Sequence, residues 1–258
     1  MYDFIIERLK QSKIATDPFE HLLIDNLLPE EDYAELAKQL DEIELDGITT
    51  QYDQRMYKPS KIIDSYPEFP KIQEFVNIIR DSFDEFYSIL YSKFSKTRGV
   101  TKETRHVEKS NRFVHTCITK DKVAYNIPPH PDHHCNLFTL LFYTPRDDSN
   151  ADHGLTLYKE IEGSDTGFPT LRKVNSVREV TRELIDLRPD IVSDKYSLAP
   201  AKHIDFLPNR LIIFAPADNT WHGVGMHRDQ PKEITCTRNS FQIFHMIRDG
   251  SNSWGKEH

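Results

Sequence analysis

The chain has 258 residues, 38% of them hydrophobic and 29% charged, a globular balance of a length that sandwich and barrel folds often reach as one domain. No 18 apolar residues run together, so no segment reads as a membrane helix. Lys and Arg number 33 against 41 Asp and Glu, a net charge of −8 with no dense basic block, so neither nucleic acid nor a membrane surface is an expected partner.

The amino-terminal MYDFIIERLKQSK carries Asp3 and Glu7 inside its apolar stretch. It reads as a short amphipathic helix, not a signal peptide, and a cytoplasmic location is expected. Residues 21–25 are short and β-like. Leu28-Pro29-Glu30-Glu31 opens a helix through Glu42, with Tyr33, Leu36 and Leu40 on one stripe and acids in the first turn, where the helix dipole favours them. From Phe69 to about Phe94, Ile72, Phe75, Ile79, Phe83, Phe86 and Leu90 recur at spacings of three and four, which predicts one long amphipathic helix.

Beyond about residue 110 the texture changes to short apolar runs bounded by Pro, Asn, Asp and Gly. Strands are predicted over 113–119, 123–127, 137–143, 155–158, 203–207, 211–214, 221–226 and 234–246, and seven or eight at such intervals suggest a sandwich or barrel. The polar stretch 159–200 is long for a loop and reads as an insertion or lid. With no repeat or linker, residues 1–258 read as a single composite domain: 1–110 a mainly helical support region, 111–248 a β-rich core. The class is mainly β with flanking helices (α+β).

Cys117, Cys135 and Cys236 are odd in number and far apart, so neither a disulfide framework nor a CxxC zinc site is supported. The 12 histidines are more informative, because imidazole is the commonest metal ligand. In Tyr125-Asn-Ile-Pro-Pro-His130-Pro-Asp132, the ligand pair is two residues apart, and in extended backbone that spacing points both side chains to one face. The run Leu211-Ile-Ile-Phe-Ala-Pro-Ala-Asp-Asn-Thr-Trp-His222 offers a third ligand after a turn. Two histidines and one carboxylate on one side of an octahedron leave three positions open, as in non-haem Fe(II) oxygenases.

Arg238 and Ser240 follow in Arg238-Asn-Ser240-Phe. A hairpin centred near Gln230 would set Arg238 opposite His222 across a ladder, placing beside the metal a planar fork suited to a carboxylate and a hydroxyl donor. Arg228 and Lys232 are alternative cations, both in the turn on this estimate. His133 and His134 are neighbouring alternatives as ligands. The other histidines, among them His21, His115, His153, His203 and His245, read as surface or satisfied core groups. Trp221 and Phe241 read as core, with a pocket lining as the alternative.

His130-x-Asp132, the distant His222 and Arg238-x-Ser240 resemble the HxD…H…RxS pattern of Fe(II)/2-oxoglutarate-dependent dioxygenases, particularly the prolyl-hydroxylase-like branch. The resemblance covers residues 111–248 and, in the amino-terminal third, the phrase Pro18-Phe-Glu-His-Leu-Leu-Ile-Asp-Asn-Leu-Leu-Pro29. It implies a double-stranded β-helix core, a jelly roll of cupin-like shape. His130, Asp132 and His222 would be the catalytic Fe(II) ligands. The cosubstrate 2-oxoglutarate would chelate the metal, with its far carboxylate on Arg238 and Ser240 and Tyr125 as an extra donor. The implied activity uses O2, with ascorbate in support, to hydroxylate an unactivated C–H bond of a small molecule or peptidyl substrate, releasing succinate and CO2. Related halogenases carry a small residue where Asp132 stands, so the carboxylate points to an oxygen-derived outcome. A non-catalytic metal- or ligand-binding jelly roll and a cupin-like metalloenzyme without 2-oxoglutarate are the alternative readings.

Overall fold

The computed structural model describes residues 1–44, 55–59, 67–94, 109–121, 127–132, 136–161, 198–217, 219–224 and 238–247. The strands form two antiparallel sheets. In chain order they are β1 (His21–Ile24), β2 (Arg55–Pro59), β3 (Arg112–Asp121), β4 (Ile127–His130), β5 (Asn136–Tyr143), β6 (Leu155–Glu160), β7 (Leu198–Ile204), β8 (Arg210–Phe214), β9 (His222–Val224) and β10 (Arg238–Ile247). The larger sheet runs β1-β8-β5-β10-β3-β2 and the smaller β4-β9-β6-β7. The helices are α1 (Tyr2–Gln11), α2 (Glu30–Glu42), α3 (Pro70–Asp81) and α4 (Phe83–Lys93).

Period-two alternation splits the central strands of the large sheet between two cores. Leu140, Phe142, Leu211, Ile213, Phe241 and Ile243 face the helices, where they pack with Leu36, Leu40, Phe75, Ile79, Phe86 and Leu90. Leu141, Tyr143, Ile212 and Phe214 face the small sheet and meet Leu155, Leu157, Ile204 and Val224. The helix-side core is aromatic: the Phe75 ring lies 5.2 Å from Phe142 and 4.8 Å from Phe241.

Helix ends are satisfied by neighbours. The Gln39 side-chain oxygen accepts from the amides of Lys71 and Ile72 at the start of α3 (2.9 and 3.2 Å), whose first position is proline and needs no partner for an N–H. At the C-terminal end of α2, the Lys120 ammonium donates to the carbonyls of Asp41 and Ile43, matching a cation to the negative end of the dipole. Burial draws the Lys120 pKa below its ordinary value, the carboxylate of Asp41 opposing that shift.

Several expectations change. The predicted helix 69–94 is two helices broken at Ser82, whose backbone leaves the helical region at φ −97°, ψ 13°; the apolar period continues across the break, so spacing gives no sign of it. The strand expected over 203–207 lies earlier, at Leu198–Ile204. It is an edge strand containing Pro200, with burial that does not alternate cleanly. β2 was not anticipated. Residues 123–126 and 234–237, Tyr125, His133, His134, Arg228, Lys232 and most of the 159–200 insertion lie outside the described residues. No helix among the described residues is long and apolar enough to cross a membrane.

Candidate metal centre

β4 forms one edge of the small sheet and pairs with β9, with His130 directly opposite His222. Pro128 and Pro129 precede His130, and proline is tolerated on an edge strand because no second ladder needs its amide. Asp132 follows just beyond the strand end. One ligand-capable atom from each of His130, Asp132 and His222 falls within a group no more than 4.8 Å across, and His222 Nε2 stands 3.7 Å from Asp132 Oδ1. Metal bonds of about 2.1 Å put neighbouring ligand atoms about 3 Å apart, so small side-chain movements would gather the three donors on one ion.

The donors are already oriented. The His222 Nδ1–H donates to the Thr220 carbonyl at 2.9 Å, which leaves the Nε2 lone pair aimed at Asp132. Thr220 is held in turn: its hydroxyl donates to the Ala217 carbonyl and accepts from the Ala217 amide (2.8 and 2.9 Å). The Thr139 hydroxyl donates to Asp132 Oδ2, leaving Oδ1 toward His222. Phe214 packs its ring 4.7 Å from that of His222.

The three residues line a cavity of about 70 Å³ whose other walls include Ile127, Leu141, Leu155, Val224, Thr139, Gln242, Phe244 and Arg238. Arg238 thus shares the space with the triad, but by a different route from the one the hairpin estimate gave. β9 pairs with β4 and β6 in the small sheet, whereas β10 lies between β5 and β3 in the large one. Arg238 is not opposite His222 in any ladder; the two reach the cavity from facing sheets.

The guanidinium is buried, and each of its three nitrogens donates to a neighbour. Nη1 donates to Asp121 Oδ2 at 2.8 Å, Nε to the His153 carbonyl at 2.8 Å and Nη2 to the Tyr143 hydroxyl at 3.2 Å. The carbonyl of His153 reaches Arg238 from a 3₁₀ turn ending in Gly154, and there a Cβ would fall 1.7 Å from the Ile204 carbonyl oxygen. Glycine is required by that close approach. Burial raises the Tyr143 phenol above its ordinary pKa, partly opposed by Arg238, so it stays protonated at neutral pH. Ser240 shares the Arg238 face, with its hydroxyl 2.8 Å from that of Thr119.

Asp121 and Tyr143 were missed from sequence. Tyr143 carried a faint signal, since Thr139, Leu141 and Tyr143 alternate onto one face, but Asp121 is visible only through the register that sets it opposite Arg238. Trp221 is buried and donates to Glu160, and Phe241 packs on the helix side, so both are core. Cys117 is buried, and its thiol donates to the Gln242 carbonyl. His245 departs from the reading of satisfied core histidines: it is fully buried and neither ring nitrogen has a hydrogen-bond partner among the described residues.

No family model matches the sequence, and no curated protein matches it. Solved structures do. A prolyl hydroxylase from Trichoplax adhaerens, in complex with a hypoxia inducible factor oxygen degradation domain peptide fragment, matches with a TM-score of 0.50 at 12% identity, covering 97% of this chain and 92% of that one. A structure from work on the prolyl 4-hydroxylases of Phytophthora capsici matches with a TM-score of 0.55 at 11% identity, covering 98% and 68%. The fold is that of these prolyl hydroxylases. At such identities the likeness is one of fold, and chemistry must be argued from the site itself.

Proposed function

We propose that the protein is an Fe(II)- and 2-oxoglutarate-dependent dioxygenase that hydroxylates an unactivated C–H bond of a small molecule or a peptidyl side chain, with release of succinate and CO2. The observation that carries this reading is the convergence of His130, Asp132 and His222 on one small cavity that also holds a buried arginine. The donor set fits Fe(II): two imidazoles and a carboxylate, with His222 and Asp132 each held by a hydrogen-bonding neighbour, leave open positions for other ligands. On this reading the two facing sheets are a double-stranded β-helix, with residues 111–248 the catalytic core and 1–110 its support.

His130, Asp132 and His222 would hold the metal, which together with 2-oxoglutarate activates O2 for attack on the C–H bond. Arg238 and Ser240 would receive the far carboxylate of the cosubstrate, with the protonated Tyr143 phenol as a further donor. Thr139 and the Thr220 carbonyl keep Asp132 and His222 in their ligating orientations. The apolar walls Ile127, Leu141, Leu155, Val224 and Phe244 exclude bulk water, and so strengthen every polar contact within. Since two solved structures that share the fold come from work on prolyl hydroxylases, peptidyl proline heads the panel of substrates to try.

The test is succinate formation from 2-oxoglutarate with Fe(II), ascorbate and a panel of peptides, free amino acids and nucleobases, alongside the anaerobic metal-to-ligand charge-transfer absorbance. Wild type is expected to show the band, and His222→Ala to lose it together with turnover. Absence of both band and turnover in the wild type would overturn the reading.

A further inference from the structure

The buried arginine already has a carboxylate. Asp121 ends β3 directly opposite Arg238, the first residue of β10; its side chain is 0% exposed and that of Arg238 3%, with Nη1 and Oδ2 2.8 Å apart. A guanidinium has five donors in one plane. Here Asp121, the His153 carbonyl and the Tyr143 hydroxyl each take one, while the Tyr143 and Phe206 rings lie 5.0 and 5.4 Å from the guanidinium carbon. The cation is therefore fixed in orientation and matched in charge before any ligand arrives.

We infer that Asp121 is a positioning residue that acts as a resident counter-ion for Arg238, keeping the empty site folded while weakening its grip on the 2-oxoglutarate carboxylate; this rests on the function proposed above. A buried arginine without a counter-ion is strongly unfavourable, and a pair at this distance relieves that cost. The same aspartate repels an incoming carboxylate, because both negative charges crowd one guanidinium in a medium that screens poorly. The two effects have opposite signs in the empty and loaded protein. Removing the Asp121 charge while keeping its shape destabilises the empty protein most, since in the loaded protein the cosubstrate carboxylate takes over as counter-ion. By linkage, affinity for 2-oxoglutarate then rises.

Asp121→Asn makes that change, since the amide oxygen still accepts from Nη1. Calorimetric titration of 2-oxoglutarate into Mn(II)-loaded wild type and D121N is expected to give at least a tenfold lower Kd in the variant, about 1.4 kcal/mol. The ligand-free variant is expected to melt below wild type, and to gain more in Tm on saturation with 2-oxoglutarate. An aspartate that serves packing alone would lower stability and leave Kd unchanged or raised, and that result overturns the inference. Wild type that does not bind 2-oxoglutarate at all instead sinks the functional reading on which it rests. A second variant covers the case in which D121N fails to fold: D121N/R238Q, with both charges removed, is expected to be recovered folded and to melt above D121N. A double variant no more stable than the single one overturns the inference as well.

Discussion

β10 carries two buried basic residues seven positions apart, Arg238 and His245, and treats them in opposite ways. Arg238 faces the small sheet and is held by a carboxylate, a carbonyl and a phenol. His245 faces the helices and lies against rings, those of Phe83 at 4.8 Å and Phe138 at 6.1 Å, with both nitrogens unpartnered among the described residues. The difference separates two uses of one strand. On the cavity side polar groups are bought out of water with partners; on the helix side the imidazole persists only because it can stay neutral. Burial pushes its pKa down to about 3.

Breaking the paired side is expected to have the largest effect. Arg238→Met leaves Asp121 buried without its guanidinium, and loss of one partner of a buried pair typically costs about 3–5 kcal/mol; chemical denaturation at pH 7.5 reads this directly. Next in size is the acid response of the unpaired side. The folded-state pKa of His245 lies below the ordinary 6.5, so the unfolded chain takes up the proton first. This contribution to stability is complete above pH 6.5 and lost as pH falls toward 3, at about 1.4 kcal/mol per pH unit. His245→Leu removes it: denaturation midpoints of variant and wild type are expected to diverge as pH drops from 6.5 to 4.5, with the variant ahead by about 1 kcal/mol even at pH 7.5, because two unsatisfied nitrogens are gone. Parallel pH curves would show that His245 does not behave as described. The smallest effect falls at the metal centre: Thr139→Val deprives Asp132 of its donor and is expected to weaken Fe(II) or Mn(II) binding about tenfold, the lower end for loss of such a supporting group.

The same strand shows why some of the molecule was legible in sequence and some was not. His130 and Asp132 could be paired by arithmetic, since two positions along an extended chain share a face whatever the fold. His222 could be named from residue type and a preceding turn. Arg238 could be chosen by charge, but its placement opposite His222 assumed that sequential strands pair, whereas the chain crosses from one sheet to the other between β9 and β10. Asp121 and Tyr143 depend on which strands flank β10 and in what register, and residue spacing holds none of that. The failures in secondary structure are local ones: the Ser82 break keeps the helical period intact, and β7 is an edge strand with a proline.

The two prolines that introduce His130 have a consequence for the protein in a crowded cell. A sheet edge is a template on which a further strand can grow, and among the described residues β4 is such an edge and bears a candidate metal ligand. Pro128 and Pro129 present no amide hydrogens there, so an intruding strand would find an interrupted ladder at the point where it would otherwise cover the cavity and its histidine. The Pro-Pro-His sequence thus makes this edge a poor template for a further strand.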